Sequence, residues 1–154
     1  MFTVMKPWIA LFVVLLWIPA VAQTANTIGP ANTIEPGDLV KMLPKNPVIL
    51  NVGPRSIYSQ AHIPNAEFIG MTAEPQGIQA LRDAVKKLPK TKLIVIYCGC
   101  CPWDRCPNMA PAFNELESLG FKNVKALHIA QNFGANWVNQ GYPIQTGMTA
   151  GIAK

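Results

Sequence analysis

The sequence predicts an α/β domain built on a parallel sheet with helices on both faces. Two short, β-branched and almost uninterrupted apolar runs, Val48–Val52 and Lys92–Tyr97, read as strands covered on both sides. Weaker strand candidates, Glu67–Ile69 and Val124–His128, alternate with these and with stretches of helical period, and that alternation is the signature of parallel strands joined by helical crossovers. Composition agrees. In 154 residues, half are hydrophobic and 14% are charged, which suits one domain with one substantial core.

The chain opens with a single charge, Lys6, before an apolar run from Pro7 to Ile18 that is too short to span a bilayer comfortably. Pro19 ends that run, and Ala20-Val21-Ala22 supplies the small-x-small pattern of a signal-peptidase site, so residues 1–22 read as a cleaved signal peptide. No basic stop-transfer group follows, so no stable membrane anchor is expected after cleavage. Residues 23–32 are polar, without hydrophobic period, and read as a flexible leader; the domain is expected over 33–146, with a tail at 147–154.

Helices are predicted over Asp38–Leu43, Arg55–Gln60, Ile78–Leu88, Met109–Leu119 and Ala135–Gln140. The third has apolar residues at 78, 81, 85 and 88. The fourth has readable ends: Asn108 as its cap, Pro111 at the third position where a missing N–H is no loss, and Gly120 to close it in the left-handed region. Everything between Tyr97 and Asn108 is then loop, and in parallel sheets chemistry gathers at the carboxyl ends of strands.

That loop holds all four cysteines, Cys98, Cys100, Cys101 and Cys106. Bridges at such spacing close almost no chain, so the cluster is not a framework that staples the fold. It is a chemical site or a local clasp. Cys98, first after the strand, stands where loop amides and a helix N-terminus converge and lower a thiol's pKa. Cys100, Cys101 and Cys106 are candidate resolving thiols, and crowding in an oxidising compartment points to a Cys101–Cys106 or Cys98–Cys101 disulfide. The four thiolates could alternatively bind copper or zinc, although standard zinc sites draw two ligand pairs from separate segments. The formal charge of +5, from 13 Lys+Arg against 8 Asp+Glu, includes the Lys86, Lys87, Lys90, Lys92 group. Without interleaved aromatics it reads as a solvated face, and no nucleic-acid partner is expected.

Three blocks resemble the rhodanese-like domain family. The first is Val48-Ile49-Leu50-Asn51-Val52 followed by Ala61-His62-Ile63-Pro64-Asn65-Ala66; the second is Ile94-Val95-Ile96-Tyr97-Cys98; the third runs from Gly120-Phe121 through Val124 and Trp137 to Gly141-Tyr142-Pro143-Ile144. Together they cover roughly residues 34–145 and imply the family's α/β fold, with Cys98 as the nucleophile of a cradle-shaped loop between a central strand and the next helix. Two departures concern activity. Asn51 and Gly53 replace the family's Asp and Arg after the first long strand, and the loop from Cys98 to Asn108 is longer than the family's active loop, with Arg105 out of register.

The resemblance implies a sulfurtransferase: Cys98 takes sulfane sulfur from thiosulfate or a persulfide donor, carries it as a persulfide, and yields it to a thiol or cyanide-like acceptor. Gly99, Cys100, Cys101, Pro102 and Trp103 form the cradle whose amides would hold the anionic sulfur, and Arg105 would attract an anionic donor. No cofactor is needed. The alternatives are a thiol-disulfide redox protein, with a redox protein as partner, or a soft-metal module holding copper or zinc on Cys98, Cys100, Cys101 and Cys106. His62 reads as a structural hydrogen-bonder, His128 as a surface or pocket-rim residue, Trp103 as a plug between loop and core, Trp137 as core, and Asp104 as a partner of Arg105 or the loop amides.

The first residues generate a test of location, for a protein expected to be periplasmic or secreted. Cells expressing the full gene should yield a soluble protein beginning at Gln23, read by N-terminal sequencing; Met1 retained in the membrane fraction would identify the apolar run as an anchor instead.

Overall fold

A computed structural model describes residues 28–148; the signal-peptide reading and the end of the tail lie outside them. The sheet has five strands in the order β1-β5-β4-β2-β3, every pair parallel. In chain order the elements are β1 (Thr33–Ile34), α1 (Pro36–Met42), β2 (Val48–Asn51), α2 (Arg55–Gln60), β3 (Glu67–Phe68), α3 (Pro75–Val85), β4 (Ile94–Tyr97), α4 (Met109–Ser118), β5 (Val124–Leu127) and α5 (Phe133–Asn136). β4 is the middle strand and is buried along its whole length, as its unbroken apolar sequence requires.

Because side chains alternate across a strand, β2 and β4 feed two separate cores. Leu50 and Val52, with Ile94, Ile96 and Cys98, meet Leu81 and Val85 of α3 and Met109, Ala112, Phe113 and Leu116 of α4. Ile49, Val95 and Tyr97 face the other way, toward Leu39 of α1, Tyr58 of α2 and Phe133 of α5. The expected helices on both faces are thus present. In α4 the buried positions 109, 112, 113 and 116 make one helical stripe.

Element ends depart from the sequence reading for local reasons. α1 and α3 begin earlier because Pro36 and Pro75 occupy first-turn positions where proline is tolerated. The last predicted helix, 135–140, is instead α5 over 133–136 followed by a 3-10 turn at Val138–Gln140, with Trp137 between them out of helical conformation. Trp137 is fully buried, as expected of a core residue, and its indole N–H donates to the Pro143 carbonyl at 2.9 Å. β1 has no counterpart in the sequence reading. Its two residues borrow order from β5, where Thr33 and Ile34 pair with Ala126 and Leu127. Within the segment expected as a leader, Pro30–Asn32 forms a 3-10 turn and Ile28 is buried in the α3/α4-side core. Gly120 closes α4 at φ +86°, as its sequence position implies. Among the described residues no helix is long and apolar enough to cross a membrane.

Gly77 of α3 sits against the chain between β3 and α3. A Cβ there would lie 2.1 Å from the Met71 carbonyl oxygen and 2.5 Å from its carbon, a clash with backbone that side-chain rotation cannot relieve. Gly77→Ala gains about 1 kcal/mol of helix propensity, against an overpacking cost of about 1–3 kcal/mol that falls at its upper end where backbone must move. The substitution should lower the denaturant midpoint without abolishing folding; an unchanged or raised midpoint would contradict this packing.

Candidate active site

Cys98 is the residue after β4. Continuing the alternation of Ile94 and Ile96, its side chain turns toward α4, and it is only 4% exposed. The backbone leaves the sheet at Gly99, where a Cβ would come within 2.6 Å of the Phe133 Cβ; the Gly99 carbonyl also accepts from the Phe133 amide at 3.0 Å. Only glycine lets the loop approach α5 this closely.

The Cys98 sulfur is surrounded by donors. Cys100 Sγ lies 3.3 Å away and the Asn108 side-chain amide donates to it at 3.7 Å. A hydrogen bond from the Cys106 thiol is the strongest influence on Cys98: against the opposing effect of burial, and with the Cys100 amide and thiol and Asn108 assisting, it lowers the Cys98 pKa from 9.0 to about 5. The proton stays on the partners. Cys106 is pushed up because its thiol serves the Cys98 sulfur and because it is buried, and Cys100 is pushed up by burial, by its bond to Cys101 and by the negative charge on Cys98. The site is one thiolate held by two thiols and a carboxamide.

Asn108 stands at the N-cap of α4, but its side chain does not cap the helix. Its Oδ1 accepts from the Ala73 amide at 3.0 Å while its Nδ2 points at Cys98, and its backbone carbonyl accepts from the Thr72 hydroxyl at 2.6 Å. Asn108 and Thr72 are both buried polar residues. Capping is the role its sequence position suggests, and this one is not visible there, since Asn at a helix start has a sufficient local explanation and Thr72 is 36 positions away. Gly53, where the family has Arg, lies beside the same sulfur. A Cβ at that position would stand 3.2 Å from Cys98 Sγ, and the Gly53 amide donates to Asn51 Oδ1 at 3.1 Å. Asn51 and Gly53 therefore shape the turn that makes room for the sulfur.

The other expected site residues separate into groups. Cys98, Cys100 and Cys101 converge, all three sulfurs lying within 4.8 Å of one another, whereas Cys106 is outside that triad and interacts with Cys98 and with the Asn108 backbone amide. None of the four cysteines is in a disulfide, and the close sulfur pairs are Cys98 with Cys100, at 3.3 Å, and Cys100 with Cys101, at 3.1 Å, rather than either pair expected as a disulfide. Of the cradle amides, that of Cys100 serves Cys98, while that of Trp103 donates to the Ala130 carbonyl at 3.4 Å. Pro102 has no amide hydrogen, and it leads into a 3-10 turn at Trp103–Arg105. Trp103 packs on the α3/α4-side core and meets His128 edge-on at 5.2 Å. Arg105 is 77% exposed, with Asp104 at 4.0 Å.

Both histidines have structural partners. His62 is fully buried, stacked on Tyr58 at 3.9 Å, with Nδ1 2.9 Å from the Tyr58 carbonyl. His128 pairs with Glu35 at 2.8 Å.

A cleft of about 570 Å³ opens on the α2/α5 side of the loop, lined among others by Ile57, Gln60, Cys100, Asn132 and Phe133. Its size is that of a small-molecule site. Cys100 is exposed into it, while Cys98 lies behind. None of the lining residues carries a charge.

Comparison with known proteins fits this architecture. The structure resembles the rhodanese-like domain of the Alr3790 protein from Anabaena sp., with a TM-score of 0.55 and 22% identity over 80% of this chain and 85% of that one. It also resembles the BH2092 protein from Bacillus halodurans, with a TM-score of 0.56 and 24% identity over 74% and 76%. A third similar structure is EanB, captured with a cysteine persulfide in a tetrahedral intermediate state with ergothioneine; there the TM-score is 0.55, the identity 19%, and the match covers 74% of this chain and 28% of that one. No curated protein matches. The rhodanese-like domain family itself matches residues 35–128, a span that runs from the start of α1 past β5 and contains the whole cysteine loop, and on that match the chain belongs to the rhodanese-like domain family.

Proposed function

We propose that the protein is a sulfurtransferase that takes sulfane sulfur onto Cys98 as a persulfide and yields it to a thiol or cyanide-like acceptor. The observation that carries this reading is the thiolate of Cys98, buried at the end of the central strand and held ionised by Cys106, Cys100 and Asn108. A pKa of about 5 makes essentially all of Cys98 reactive at neutral pH. Relative to a thiol at 9.0, ionisation gains about 100-fold at pH 7, and the lower basicity loses about 40- to 100-fold in nucleophilicity. Attack on the donor is therefore about neutral. The gain comes in discharge, because a low-pKa sulfur leaves faster.

The uncharged cleft favours an organic persulfide over thiosulfate as donor, since a dianion would lose its hydration there without a cationic partner. Arg105, exposed and beside Asp104, remains the candidate to draw an anionic donor toward the loop from outside. With the export signal read from residues 1–22, the protein would work in the periplasm or outside the cell, where a redox protein could be its partner.

A second reading rests on the three converging sulfurs. Cys98, Cys100 and Cys101 could hold one soft ion, and three thiolates in a short loop suit monovalent copper better than zinc, which takes four tetrahedral ligands in structural sites. Cys106, outside the triad, is then a hydrogen-bond donor and not a ligand.

The two readings have separate measurements. For sulfur transfer, Cys98→Ser should abolish persulfide formation. The wild-type rate of Cys98 alkylation should rise through about pH 5, since protonation below that value removes the nucleophile. Cys106→Ala should move this midpoint up and Cys106→Ser, which keeps a donor, should largely restore it. A wild-type midpoint near 9 would overturn the proposed activation. For metal, copper(I) titration against a competing chelator should give one ion per chain, with Cys98→Ser, Cys100→Ser and Cys101→Ser each weakening binding by a similar large factor; no binding by the wild type removes that reading.

A further inference from the structure

Cys98 and Cys100 are neighbours with opposite surroundings. Cys98 lies on the α3/α4 side of the sheet, 4% exposed, whereas Cys100, two residues later, turns to the α2/α5 side and is exposed in the cleft. Their sulfurs are nonetheless 3.3 Å apart. A reagent entering the cleft meets Cys100 first, with the Cys98 sulfur directly beside it. At this distance the Cys100 sulfur is placed to bond to Cys98 Sγ with little movement of the loop.

We infer that Cys100 is the resolving residue of this site: it attacks Sγ of persulfidated Cys98, expels the outer sulfur as hydrosulfide and leaves a Cys98–Cys100 disulfide facing the cleft. The inference rests on the proposed persulfide at Cys98 and adds the fate of its sulfur. In the step, the Cys100 Sγ–Cys98 Sγ bond forms and the bond from Cys98 Sγ to the outer sulfur breaks, its electron pair leaving with that sulfur. The Cys100 proton passes to the hydrosulfide or to solvent. The sulfane sulfur is reduced to sulfide, and the two cysteine sulfurs are oxidised to the disulfide. A dithiol reductant, entering by the cleft where Cys100 is exposed, restores both thiols by exchange and leaves as its own disulfide.

The Cys100 sulfur is also 3.1 Å from Cys101, so the disulfide has a third thiol beside it through which exchange with a reductant can proceed.

The test is a single turnover on the reduced mature protein, mixed with one equivalent of a small organic persulfide in the absence of other thiols. Wild type should release one sulfide per chain and lose two hydrogens in intact mass. Alkylation should then mark Cys101 and Cys106 but not Cys98 or Cys100. Adding a small dithiol should return both thiols. Cys100→Ser should release no sulfide and should retain one extra sulfur on Cys98, located by tandem mass spectrometry. Wild type that keeps a stable extra sulfur, or a disulfide mapped to Cys106, would overturn the inference while leaving sulfur transfer at Cys98 in place. Failure of both proteins to take up sulfur would overturn the sulfurtransferase reading and this step with it. The wild-type measurements decide the matter even if the variant folds poorly.

Discussion

The structure depends on β4 being buried from both sides and paired on both edges. Its neighbours β2 and β5 satisfy its backbone groups, and helices on both faces cover Ile94, Val95, Ile96 and Tyr97. A strand so constrained cannot shift by one residue without exchanging the two cores. The residue after it is therefore held as firmly as the strand, and that residue is Cys98. Its orientation toward α4 follows from the same alternation that aims Ile94 and Ile96.

What surrounds the sulfur is held from three directions. The cysteine loop brings Cys100 and Cys106, the start of α4 brings Asn108, and the turn after β2 brings Gly53 close beside. Asn108 links this environment to the chain before α3 through Thr72 and Ala73. Its amide group thereby acts twice: the oxygen is fixed by backbone, which leaves the NH₂ aimed at sulfur. Donors oriented in advance stabilise an anion more than solvent would inside a closed site, and here they are two thiols, a carboxamide and the Cys100 amide.

The lengthened loop divides its cysteines between the two faces of the sheet. Cys106 and Cys98 are buried with the α3/α4 core, Cys101 and Trp103 pack against it, and Cys100 is turned toward the cleft beside α5. Gly99 makes this division possible by letting the loop cross against Phe133. A buried thiolate and an accessible thiol thus stand in contact, which is the arrangement that exchange chemistry between an interior sulfur and an outside reagent needs.

Much of this was legible along the chain, because it rests on local pattern. The apolar runs 48–52 and 92–97 mark the central strands, Gly120 marks the end of α4, and the place of Cys98 between strand and helix marks the candidate nucleophile, each from residues within a few positions of one another. β1 escaped notice because two residues show no period, and they are a strand only because β5 pairs with them. The role of Asn108 escaped because it joins Thr72 and Cys98, which approach only when α3 and α4 pack side by side. Spacing likewise placed four cysteines together but could not separate them: the turn at Gly99 decides that Cys100 meets the cleft, and the packing of the 3-10 turn decides that Cys106 returns to the sulfur of Cys98. Sequence determines what a residue's neighbours along the chain dictate, and the fold alone determines which donors converge on one sulfur, since that depends on contacts between elements far apart in the chain.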